Sequence, residues 1–172
     1  MSESTDTITI RVPKSLKDDL EGMCKKNHLN LNLLINQILT KNAQWDKHIT
    51  SMGWLQFSPS IVKEIFAFLN EKQISELSKS ITQDVINGIK FIYGDTNLQH
   101  TIEFIQTWLT TTNIPFRYSK DSESHKFLVN HKLGENWSIF AVKVTEEFIS
   151  KLGYKFTEPH TSPDSYSFTI LK

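Results

Sequence analysis

TITIRVPKSLKDDLEGMCKKNHLNLNLLINQIL, residues 7–39, is the stretch from which the fold of this chain is read. Its first six residues alternate. Ile8, Ile10 and Val12 point one way, and Thr7, Thr9 and Arg11 point the other. β-branched residues at period two predict a strand over residues 7–12. Pro13 has no N–H to give to a ladder and ends it. Ser15 is the predicted N-cap of a first helix, with Asp18 three residues on as an acid for the first turn. Leu16, Leu20 and Met23 share one face of that helix, with Cys24 at its margin. The chain breaks at Asn27-His28. Asn30 then caps a second helix with Leu31, Leu33, Leu34 and Ile38 as its apolar stripe.

A strand and two short helices bury too little surface to stand alone, and a single strand leaves both edges unpaired. Two chains that pair their strands antiparallel and interlock four helices beneath them solve both problems. The outward row of Thr7, Thr9 and Arg11 is then doubled on a two-stranded ribbon of a width that fits the B-DNA major groove. Arginine can give a bidentate bond to guanine, and threonine offers a hydroxyl and a methyl to base edges.

The order TITIRVP, SLKDDLEGMCKKN, LNLNLLINQIL resembles the MetJ/Arc/CopG ribbon-helix-helix superfamily over about residues 6–45. The resemblance implies that Thr7, Thr9 and Arg11 read bases in double-stranded DNA. It implies that Asn30, Leu31 and Asn32, at the start of the second helix, clamp a phosphate, and that Lys14 makes a DNA backbone contact. It further implies a homodimer. Many members carry Gly where this chain has His28-Leu29, so the departure falls on the turn, where the resemblance implies a positive φ on a residue other than glycine.

Outward from this segment, the composition is that of a globular protein: 38% hydrophobic, 22% charged, with few Gly or Pro among 172 residues. We expect a DNA-binding domain over residues 1–50 and an α+β domain over 51–172. Nineteen basic residues balance nineteen acidic ones, so any grip on DNA depends on placement rather than bulk charge. Cys24 is the only cysteine, which excludes an intramolecular disulfide framework and fits a reducing cytoplasm. No apolar run approaches the roughly 20 residues of a membrane helix, so no membrane partner is expected, and the polar N-terminus does not resemble a secretory signal.

Trp45, Trp54 and Phe57 make residues 44–57 unlike a flexible linker. Ser58-Pro59 opens a helix with Ile61, Ile65, Phe66 and Leu69 on its inner face. Ile74, Leu77, Ile81, Val85 and Ile89 predict more helix, interrupted once. Gly94-Asp95-Thr96 stops and restarts the chain into an amphipathic helix with Leu98, Ile102, Ile105, Trp108 and Leu109 on one face, ending near Thr112-Asn113. Strands are predicted at 116–118 and 125–131 around a polar hairpin, then a helix capped by Asn136 and ended by Gly153, then strands at 154–156 and 165–171. The order α-β-β-α-β-β predicts an α+β fold with helices on one face of a small antiparallel sheet. Such a domain suits binding of a small-molecule effector or assembly of dimers into tetramers.

His131-Lys132-Leu133-Gly134-Glu135-Asn136-Trp137-Ser138 resembles a motif of uncharacterised archaeal regulator-like proteins, which marks His131, Gly134 and Trp137 as candidate ligand or structural residues without implying a ligand. His125 and His131 share a strand face but lie roughly 20 Å apart when extended, too far for one metal. No metal, cofactor or enzymatic activity is expected: G-x-S-x-G, phosphate-loop and H-E-x-x-H patterns are absent. Glu146 and Glu147, beside Lys143, read as a solvated face. Trp108, Phe116, Tyr118, Trp137 and Phe140 are either core or the lining of a pocket. The leading expectation is a dimeric, sequence-specific transcriptional regulator. An antitoxin or a metal-responsive sensor are the alternatives.

Overall fold

A computed structural model describes residues 5–171. The chain divides into two compact units, the first ending at Ala43 and the second beginning at Gln44. This division lies ahead of the boundary expected after residue 50, because Trp45 and Ile49 belong to the core of the second unit.

In the first unit, residues 5–13 form no strand ladder, and Ile8 and Ile10 are 77% and 58% exposed. The predicted strand over 7–12 is therefore not formed within one chain, since a lone segment has no second edge to bond. Helix α1, Lys14–Asn27, begins one residue before Ser15. Pro13 occupies the N-cap without a side-chain bond, and no acid sits in the first turn, so Ser15 and Asp18 do not cap it. His28 adopts the left-handed conformation expected of the turn, at φ 54°. Asn30 then caps α2, Leu31–Lys41, its Oδ1 accepting the Leu33 N–H at 2.8 Å.

A π-helical turn, Asn42–Asp46, leads to α3, Lys47–Met52. In the second unit Ser58 caps α4, Pro59–Ala67, with proline in its first turn as predicted. Helix α5, Glu71–Tyr93, runs without the interruption expected of it. A capping box starts it: Asn70 Oδ1 accepts from Gln73 N–H and Gln73 Oε1 accepts from Asn70 N–H. Ser78 and Thr82 fill positions where the apolar pattern lapses, and both are fully buried on the helix's inner face. Gly94, at φ 86°, terminates the helix. Asn97 caps α6, Leu98–Thr111.

Strands β1, Phe116–Lys120, and β2, Ser124–Asn130, form the predicted hairpin; α7, Glu135–Lys151, then leads to β3, Lys155–Thr161, and β4, Ser165–Leu171. The four strands make one antiparallel sheet in the order β1-β2-β4-β3. Inward-facing His125, Phe127 and Val129 are buried while Lys126, Leu128 and Asn130 between them are exposed, the alternation of a half-covered sheet. Helix α7 packs across β3 and β4, and α5 packs on α7. A bulge at Glu158-Pro159 slips the β3–β4 register between Thr157↔Thr169 and His160↔Ser167. Glu158 takes a positive φ there and accepts a bond from Thr169 Oγ1 at 2.9 Å. The second unit is thus an α+β arrangement of helices on an antiparallel sheet.

Candidate functional site

The H-x-L-G-x-x-W-S segment is the turn from β2 into α7, and a directed chain of hydrogen bonds holds it. The Leu133 N–H donates to His131 Nδ1 at 2.9 Å. That bond leaves the proton of the neutral imidazole on Nε2, which lies 2.7 Å from Ser138 Oγ. Ser138 Oγ in turn donates to the Ser162 carbonyl at 2.6 Å, tying α7 to the loop before β4. Both imidazole nitrogens are therefore in use. Burial holds His131 well below the usual histidine range, at about 4, against an opposing pull from Asp164. Gly134, at φ 92° and ψ 162°, is the N-cap of α7, a conformation essentially confined to glycine. Asn136 does not cap the helix. Its Nδ2 donates to the carbonyls of Phe66 and Leu69, at 2.9 and 2.8 Å, and so closes the end of α4.

The same turn aims Trp137 into an aromatic cluster. Its ring meets Phe66 edge-on at 4.9 Å and lies 5.5 Å from Phe140. Its Nε1–H is shielded from solvent and has no hydrogen-bond partner among the described residues. Trp137, Phe66 and Phe140 form part of the wall of a cavity of about 560 Å³ within the second unit. Helices α4 to α7, strand β4 and residues 54–57 all contribute to that wall. A further cavity of about 400 Å³ adjoins it, sharing Trp54, Trp108 and Trp137. A volume in this range is that of a small-molecule site. Of the five aromatics weighed as pocket or core, Trp108, Trp137 and Phe140 line the larger cavity, whereas Phe116 and Tyr118 pack against the sheet core. The cavity residues between Trp54 and Phe104 are spread over several elements, so no spacing in the sequence marks them as a group.

Glu147 departs from its expected solvated role. It is half-buried between α5 and α7, with the Ser78 and Thr82 hydroxyls donating to its carboxylate at 3.3 and 3.2 Å. His125 stacks on Tyr118, whose hydroxyl lies 2.7 Å from its Nδ1. Among the described residues no three His, Cys, Asp or Glu side chains gather in a metal-binding arrangement. No helix among them is long and apolar enough to cross a membrane.

In the first unit, Thr7, Thr9, Arg11 and Lys14 are all exposed. Asn30 and Asn32 are exposed and Leu31 half-buried at the start of α2. Asn30 engages the third amide of that helix, so the Leu31 and Asn32 amides stand ahead of it in the first turn, where a helix favours an anion. Only Cys24 and Leu34 are buried in α1 and α2. Leu16, Met23, Leu33 and Ile38, assigned to inner faces by the sequence pattern, are each more than 40% exposed.

Comparison of the chain with family models, with curated proteins and with solved structures returned no match in any of the three.

Proposed function

We propose that this chain is a cytoplasmic transcriptional regulator that binds double-stranded DNA as a homodimer through residues 7–41 and a small-molecule effector through its second unit. The observation that carries the reading is the uncovered apolar row of the first unit. Ile8, Ile10 and Val12 on the extended segment, with Leu16, Met23, Leu33 and Ile38 on the helices, expose their side chains in one short stretch. Water contact over that much apolar surface is unfavourable, by about 1.5–3 kcal/mol for each large side chain that burial would remove from it. A second copy supplies both the missing ladder and the cover.

In this arrangement Thr7, Thr9 and Arg11 face base edges, Lys14 meets the backbone, and the N-terminus of α2 at Asn30, Leu31 and Asn32 holds a phosphate. The antitoxin alternative needs a partner-binding tail that orders on binding, whereas residues 44–171 carry a core of their own.

Two measurements test the reading. Sedimentation of the purified chain is expected to give a dimer, or a tetramer built from dimers, and Ile10→Asp is expected to dissociate it. Selection of bound sites from a random duplex pool should recover a two-fold repeated sequence. Arg11→Ala should then lose about 1–3 kcal/mol of discrimination at one base pair per half-site. A monomer at working concentration, or equal affinity for selected and unselected duplex, refutes it.

A further inference from the structure

We propose that the larger cavity binds a hydrophobic organic cation, an apolar body whose positive charge sits at the mouth beside Asp84. This deepens the effector-binding reading of the second unit and rests on it. The walls are apolar and rich in aromatic rings, with Trp54, Trp108, Trp137 and Phe140 among them, and among the described residues Asp84 is the single charged one. Among the described residues no lysine, arginine or histidine lines it. An anion entering the cavity would shed its water and meet no positive partner, a cost that apolar packing does not repay. A cation meets the opposite situation, because aromatic faces attract it through their quadrupole and a carboxylate stands within the same wall. Asp84 is itself exposed, so its carboxylate stands at the solvent edge of the site. A neutral ligand would find the apolar body of the site but leave the carboxylate unused. The chain as a whole has no net charge, so discrimination between ions of opposite sign must come from the site and not from the overall field.

Two ions of nearly the same size and shape separate charge from hydrophobicity: tetraphenylphosphonium and tetraphenylborate. Each is titrated into the full chain and followed by tryptophan fluorescence and calorimetry. Tetraphenylphosphonium is expected to bind at least about tenfold more tightly than tetraphenylborate. Asp84→Asn, a surface replacement of the same shape, should weaken the phosphonium about threefold to fivefold while leaving neutral triphenylphosphine oxide unchanged. Binding of the borate as tight as the phosphonium, an unaltered phosphonium affinity in Asp84→Asn, or no binding of either ion overturns the proposal. DNA binding and dimerisation are read separately on the same preparation. Failure of the ion titration with DNA binding intact removes the ligand class alone. Success of the titration with no DNA binding removes the regulator reading and leaves the ligand class standing.

Discussion

Protonation of His131 should cost the fold its β2–α7 turn, and the size of the effect follows from the hydrogen-bond geometry. His131 Nδ1 must stay bare to accept the Leu133 N–H, so a second ring proton has no acceptor there and would oppose another donor. Burial adds to this and lowers its pKa from 6.5 to about 4. The unfolded chain then takes up a proton on His131 as pH falls through 6.5, while the folded chain resists until about pH 4. Stability is unaffected by this group above pH 6.5 and declines between pH 6.5 and 4, levelling off below the folded pKa. A gap of this size corresponds to about 3 kcal/mol at full expression. Carboxylates titrate in the same range, so the test is a difference. Denaturant unfolding of the parent chain and of His131→Asn is compared at pH 7 and pH 4. Asparagine keeps a side-chain acceptor for Leu133 but takes up no proton. The parent should lose about 2–3 kcal/mol more than the variant over that interval. An identical loss in both, or an imidazole resonance for His131 that titrates near 6.5 in the folded protein, refutes the reasoning.

Gly134→Ala adds a Cβ that meets nothing within 4 Å, yet it should destabilise by about 1–3 kcal/mol because φ 92° is strained for any side chain; chemical denaturation measures it. Asn136→Ala leaves the Phe66 and Leu69 carbonyls without their shared donor. A loss of about 1–3 kcal/mol is expected, with earlier hydrogen exchange at the end of α4. Trp137→Phe removes an orphaned buried donor along with some packing, and the two effects offset. Its thermal midpoint should stay within about 1 kcal/mol of the parent in stability terms, whereas a loss of the 3–5 kcal/mol typical of large core deletions would mean the indole N–H has a partner.

The second unit was legible wherever one residue type settles the backbone locally. Ser58-Pro59, Gly94, Gly153 and the polar 120–124 hairpin mark ends and turns by their own chemistry, and the structure has those features there. The misreadings arose where tertiary packing overrides a local signal. Helix α5 runs without the expected interruption, and its polar Ser78 and Thr82 are buried with their hydroxyls on Glu147 of α7, a partner distant in the sequence. Asn136 has the side chain of a helix cap, yet Gly134 takes that position and frees the asparagine amide to close α4. The cavity was out of reach for a related reason. Its walls come from residues between Trp54 and Phe168, and an aromatic residue on an amphipathic helix carries the same pattern whether it faces a neighbour or a void.

The first unit poses the opposite problem, since its pattern is clear and the strand that pattern predicts is not formed. A helix satisfies its backbone internally, and so α1 and α2 form, joined by the strained His28 and capped by Asn30 as their residues require. A strand satisfies its backbone only through a neighbour. Residues 7–12 have no such neighbour among the described residues, and alternation of Thr, Ile and Arg cannot by itself hold them in a ladder. The apolar half of that alternation is exposed together with Leu16 and Met23 of α1 and Leu33 and Ile38 of α2, while Cys24 and Leu34 are buried. Ile8, Ile10, Leu16, Met23, Leu33 and Ile38 are the exposed side chains that the proposed homodimer would have to cover.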